Sequence, residues 1–142
     1  MMQEKVIHSE AAMKEFGEEI AKKLEGGECL EFIGDVGAGK TTLIKGIAKG
    51  LGSKDEVQSP SFTINRVYKA KDKIDIYHYD FYRLHDAGII QHELEESVHD
   101  PNKITLIEWG ESIREILPKE HITIHIEPTS EEGRKVTMGK AK

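Results

Sequence analysis

Cysteine is almost missing from this 142-residue chain. The single thiol, Cys29, has no mate, which excludes an internal disulfide framework, and its place in an apolar run fits a small buried residue better than a reactive nucleophile. No apolar stretch approaches the ~20 residues that a bilayer span requires. The opening Met1-Met2-Gln3-Glu4-Lys5 also lacks the apolar segment of a signal peptide, so a cytoplasmic protein without a membrane partner is expected. An excess of positive charge is absent too: 20 Lys and Arg stand against 26 Asp and Glu, a net charge of -6. Neutralising phosphates is the main source of nonspecific nucleic-acid affinity, so a direct grip on nucleic acid is disfavoured and any such role runs through a partner. Arginine is confined to Arg66, Arg83, Arg114 and Arg134, and no insertion is long enough for a lid. That counts against a nucleotide or small-molecule kinase, which clamps its phosphoryl group away from water under an arginine-rich cover.

What remains is a composition of 37% hydrophobic and 32% charged residues, that of a soluble globular protein, in one domain spanning 1–142. Its most informative stretch is Gly34-Asp35-Val36-Gly37-Ala38-Gly39-Lys40-Thr41, which fills G-x-x-x-x-G-K-[ST] without a mismatch. Glycines at Gly34, Gly37 and Gly39 let the backbone curl until successive N–H groups face a polyphosphate, and small Ala38 keeps the approach open. Lys40 supplies an ammonium for the β- and γ-phosphates, and the Thr41 hydroxyl is the expected magnesium ligand at the start of a helix. The flanks have the right character. Cys29, Leu30, Glu31, Phe32 and Ile33 read as a strand, and residues 42 to 51 as a helix with Leu43, Ile44, Ile47, Ala48 and Leu51 on one face.

Elsewhere, Ser9 is a plausible N-cap for an amphipathic helix over residues 9 to 25, ended by Gly26 and Gly27. Strand-favouring runs at 62 to 68 and 74 to 81 are separated by five residues, too few for a helical crossover, so they must be antiparallel neighbours. In the second run Ile74, Ile76, His78 and Asp80 alternate onto one face. Residues 88 to 97 read as a helix with Ile90 and Leu94 inward, 103 to 108 as a strand ending in Glu108, and 112 to 117 as a short helix stopped by Pro118. Ile122, Ile124 and Ile126 mark a strand, followed by a turn and a last strand near 134 to 138, with residues 139 to 142 expected to fray. These elements predict a three-layer α/β domain of P-loop NTPase type, its mixed sheet containing an antiparallel part.

Magnesium held only by a hydroxyl and phosphates is poorly fixed, so a second acid is needed, and a strand ending in a carboxylate is the usual supplier. Glu108 stands at the carboxyl end of an apolar strand, where ligands of open α/β sheets bind; its plainer alternative is a surface glutamate. Asp80 is the other candidate, as a water-mediated magnesium ligand, as the base that orients the attacking water, or as a hairpin-end acid bonded to nearby backbone. His78 on the same face suits packing or a structural hydrogen bond. Ser59-Pro60-Ser61 is either a proline turn or a segment whose hydroxyls distinguish ATP from ADP. Trp109 either covers a nucleotide or partner, or is a core aromatic. The seven histidines do not form a transition-metal set: His78, His85, His92 and His99 fall on different elements, and His121 with His125 lacks a third ligand nearby.

Taken in order, the phosphate loop through Thr42, then Ser59-Pro60-Ser61-Phe62, then Tyr77-His78-Tyr79-Asp80-Phe81-Tyr82-Arg83-Leu84, then Ile107-Glu108-Trp109 resemble the TsaE (YjeE/YdiB) family of tRNA threonylcarbamoyladenosine biosynthesis ATPases over residues 9 to 138. The loop alone is generic, whereas the four blocks in sequence are specific. The resemblance implies a slowly hydrolysing ATPase that uses ATP and Mg2+, works with the TsaD and TsaB transferase proteins downstream of TsaC, and meets tRNA only through that complex. It implies Gly37, Ala38, Gly39, Lys40, Thr41 and Thr42 at the nucleotide, Thr41 and Glu108 on magnesium, and Lys40, Asp80 and Glu108 in hydrolysis. The chain departs from the family at Ser61, where Thr is usual; the hydroxyl is retained. A small GTPase is disfavoured, because Asn102-Lys103 is followed by Ile104 and Thr105, without the guanine-reading acid. A nucleotide-gated binding module without useful hydrolysis would use the same acids.

Overall fold

The computed structural model describes residues 3–35, 39–58, 65–81, 91–129 and 133–140. In chain order these form β1 (Gln3–Ile7), α1 (Glu10–Ala21), β2 (Cys29–Ile33), α2 (Lys40–Gly50), β3 (Asn65–Lys69), β4 (Asp75–Asp80), α3 (Gln91–Val98), β5 (Lys103–Glu108), β6 (Ile122–Pro128) and β7 (Arg134–Lys140). The seven strands make one mixed sheet ordered β1-β7-β6-β2-β5-β4-β3. β2 is parallel to β5 and β6 on its two sides, and β5 is parallel to β4. The β3/β4, β6/β7 and β1/β7 pairs are antiparallel.

Alternation along the strands sorts the side chains into two cores, and so into three layers. Leu30 and Phe32, Ile76, Ile104 and Leu106 join Phe16, Ile20, Leu43, Ile44 and Ile47 beneath α1 and α2. Cys29, Tyr79 and Ile107 face the other way, against Leu94, Val98, Ile113 and Leu117. Three glycines, Gly17, Gly46 and Gly50, let α1 and α2 touch. A Cβ on Gly46 would lie 2.2 Å from the Lys14 carbonyl oxygen, and one on Gly17 2.5 Å from that of Leu43. Overpacking of this kind typically costs about 1–3 kcal/mol, so the glycines set how closely α2 lies on α1.

Ser9 caps α1 as expected, its Oγ accepting the Ala12 N–H at 3.0 Å. The helix stops at Ala21, four residues before the predicted limit at 25, and the chain turns through Gly26 and Gly27 at φ 119° and 91°, which favour glycine. Three further differences have physical reasons. β1 was not expected, because its only buried residue is Ile7 and its exposed Val6 breaks the usual pattern of an amphipathic strand; it forms as the polar edge partner of β7. Residues 139 and 140, expected to fray, continue β7, with Gly139 opposite Thr123 and Lys140 opposite Ile122. The short helix predicted at 112 to 117 is a 3-10 run, Gly110–Ile116, ending before Pro118 as anticipated.

Candidate functional site

β2 delivers the chain to Gly34 at the carboxyl edge of the sheet, and α2 begins at Lys40 after Gly39, whose φ of 106° requires glycine's freedom. Gly39 brings no side-chain acceptor to the first turn of α2, so those N–H groups are those that a helix start offers to an anion. Lys40 is only 5% exposed, and its Nζ donates to the Gly34 carbonyl oxygen at 2.6 Å, joining the two ends of the loop. Thr41 and Thr42 follow half-buried in the same turn. Gly37 and Ala38 lie outside the described residues, as do Ser59, Pro60, Ser61 and Phe62 and residues 82 to 84.

Register brings the acids to the same edge. Phe32 is opposite Glu108 across β2/β5, and Asp80 is opposite Glu108 across β5/β4. Both acids share strand parity with Leu30, Phe32, Ile76 and Leu106, so they belong to the sheet face that α2 covers. Burial pushes the Lys40 ammonium below its ordinary range, while Glu108, Asp80, Glu111 and Asp35, in that order, draw it back up. An ammonium that pays for desolvation among carboxylates gains most from a polyanion brought to it. Asp35 fills an unspecified position of the loop motif and Glu111 belongs to no motif, so their part in this field was not legible from spacing.

Glu108 is itself 4% exposed and its Oε2 lies 2.7 Å from His78 Nε2, a fully buried ring. Next in sequence, Trp109 takes φ 58° and ψ 49°, a left-handed conformation that a bulky residue rarely adopts and that costs about 1–3 kcal/mol. The indole face lies 4.0 Å from Lys40 Nζ, a cation–π contact, while the half-buried ring also packs on the second core. Trp109 therefore packs as a core aromatic, one of the two roles weighed for it, and its ring also lies over the Lys40 ammonium.

On the opposite face a fully buried acid, Glu31, accepts from Arg114 Nε at 3.1 Å and lies 3.1 Å from His121 Nε2. These bonds tie the 3-10 run after Trp109 to the central strand and occupy Arg114 there. The only sequence signal for them was an acid inside an apolar strand. The Cys29 thiol is pushed up to about 12, by burial first and by the Glu31 charge second, which leaves it unreactive at neutral pH.

The oxygen donors fit magnesium in a phosphate site. Among the described residues no group of three or more His, Cys, Asp or Glu converges on a point. Magnesium does not need one where phosphates and water complete its octahedron around one or two protein ligands. Among the described residues no helix is long and apolar enough to cross a membrane.

Comparison with known proteins finds a matching family, curated relatives and a solved structure. The family described as "Threonylcarbamoyl adenosine biosynthesis protein TsaE" matches residues 7–136. The tRNA threonylcarbamoyladenosine biosynthesis protein TsaE of Streptomyces coelicolor is 35% identical over 131 residues, 89% of this chain and 88% of that one. The protein of that name from Bacillus subtilis is 40% identical over 112 residues, 79% of this chain and 69% of its own. The crystal structure titled "Bacillus subtilus YdiB" superposes with a TM-score of 0.84 at 31% identity, covering 100% of this chain and 87% of that one.

Proposed function

Since the chain belongs to the TsaE family of threonylcarbamoyl adenosine biosynthesis proteins, we propose that it is the magnesium-dependent ATPase of that tRNA modification, turning over slowly alone and acting with transferase proteins of the TsaD and TsaB type. One observation supports this above the others: a buried lysine at a glycine-started helix faces two acids from adjacent parallel strands, in register at one edge of the sheet. Such an edge is where open α/β sheets bind their ligands.

In this reading the loop amides and Lys40 cradle the β- and γ-phosphates, with Gly37, Ala38 and Gly39 forming the curl and Thr42 in the following turn. Thr41 and Glu108 would hold magnesium, which would supply charge neutralisation at the phosphates. Asp80 accepts a hydrogen bond from the attacking water and receives its proton as the water adds to the γ-phosphorus and ADP departs. Trp109 and the burial around Lys40 keep stray water from the ammonium. The net charge of -6 fits contact with tRNA through partners rather than directly.

Arg114 is occupied by Glu31 on the other face, so stabilisation of transition-state charge by that arginine is not available. Turnover by the isolated protein is therefore expected to be slow and to rise when the transferase proteins are added, by ~10³-fold or more if they contribute an arginine. Steady-state phosphate release with and without those proteins measures this. A rate unchanged by them would make the chain an autonomous enzyme, and no ATP binding in either case would overturn the reading.

A further inference from the structure

The acid assigned to magnesium is the last member of a buried chain of hydrogen bonds that crosses three strands. Glu108 Oε2 on β5 lies 2.7 Å from His78 Nε2 on β4. His78 Nδ1 lies 3.0 Å from the Tyr68 hydroxyl on β3. Tyr68 in turn meets both polar atoms of the Gln58 backbone, at 3.3 Å from its nitrogen and 2.9 Å from its oxygen. Gln58 belongs to the connection after α2, on the chain leading away from the phosphate loop.

The chemistry of the groups gives this chain a direction. An ionised Glu108 only accepts, so His78 donates from Nε2, and a neutral ring must then accept at Nδ1. The Tyr68 O–H can donate to it at 3.0 Å while the Tyr68 oxygen accepts the Gln58 N–H at 3.3 Å; in that arrangement every donor points towards the carboxylate. The Tyr68 hydroxyl has one proton and two acceptors in reach, His78 Nδ1 and the Gln58 carbonyl oxygen, so it completes the chain or turns away from it. Burial keeps this hydroxyl protonated by pushing its ionisation up, against the opposing effects of the Gln58 hydrogen bond and Arg66. A core that needed only to pack would place apolar groups at positions 68 and 78; a chain of this kind instead fixes the rotamer of its terminal acid.

We infer that His78 and Tyr68 are positioning residues for Glu108: they hold Oε2, leave Oε1 to serve magnesium, and tie that carboxylate to the backbone at Gln58. This rests on the ATPase reading above and adds to it the residues that set the affinity of the metal position.

The test is a magnesium titration of the binding of a fluorescent, non-hydrolysable ATP analogue, with melting temperature recorded for each variant. His78→Leu is expected to raise the magnesium concentration for half-maximal effect by about 10-fold or more, the usual consequence of removing a partner of a metal-ligating carboxylate. Tyr68→Phe, which keeps the ring, shifts it several-fold in the same direction. Affinity for the analogue in excess EDTA stays unchanged in both. His78→Gln, whose amide donates to Glu108 and accepts from Tyr68, recovers most of the loss, and Tyr68→Phe adds nothing further to His78→Leu. An unchanged magnesium requirement in folded Tyr68→Phe, or no recovery in His78→Gln, overturns the inference; if His78→Leu does not fold, those two variants decide. Wild-type protein that binds no analogue at any magnesium concentration overturns the ATPase reading and this inference together, whereas normal wild-type binding with unaltered variants overturns this inference alone.

Discussion

Lys40→Ala is expected to abolish ATP binding while leaving the fold intact. The ammonium is 5% exposed, bridges the loop by its bond to the Gly34 carbonyl, and sits under the face of Trp109. Removing one partner of a desolvated charge pair costs about 2–5 kcal/mol, a rise in Kd of roughly 30-fold to several thousand-fold. The upper part of that range is expected, because Lys40 faces Glu108, Asp80, Glu111 and Asp35. Without its charge those acids are expected to repel a triphosphate brought to the loop. Alanine suits the first position of α2, so the circular dichroism and melting temperature stay near wild type. Equilibrium titration with ATP checks the result, and a Kd within threefold of wild type would remove Lys40 from the phosphate site.

Asp80→Asn separates binding from chemistry. The amide keeps the size and much of the hydrogen bonding of the carboxylate but cannot take a proton from water. Binding of magnesium and ATP should stay within about threefold, while turnover falls by ~10²–10⁴-fold, the usual contribution of a positioned general base. The register opposite Glu108 makes this a demanding test, because the two acids lie side by side at the ends of β4 and β5. Equal losses of binding and turnover would make Asp80 a metal ligand. Unchanged turnover would leave it a structural acid and favour a nucleotide-gated binding module. Single-turnover phosphate release alongside titration separates these outcomes.

Much of the site's layout follows from local pattern alone. The motif with its flanking strand and helix places Lys40, and β2 and β5 have the predicted bounds, Cys29–Ile33 and Lys103–Glu108. The five-residue gap forces β3 and β4 to be antiparallel, and strand parity then puts His78 and Asp80 on one face. What spacing does not contain is which distant segments become neighbours. The bond from His78 to Glu108 needs β4 beside β5, and the one from Tyr68 needs β3 beside β4 on the far side. β1 is stabilised by β7, from the other end of the sequence, and its own residues carry too little apolar pattern to announce it. Glu31 is an acid inside an apolar strand, and its partners Arg114 and His121 lie 83 and 90 positions away. The left-handed turn at Trp109 is paid for by tertiary contacts with Lys40 and the second core, which no local propensity encodes.

The central proposition is that the helix-start lysine and two strand-end acids surround one triphosphate. A crystal structure with magnesium and a non-hydrolysable ATP analogue tests it most directly. The predicted electron density has the β- and γ-phosphates on Lys40, magnesium between Thr41 and Glu108, and Asp80 facing the γ-phosphorus through a water. Phosphates bound at another edge of the sheet, or seated in the loop with Asp80 and Glu108 both out of reach of metal and water, would contradict it.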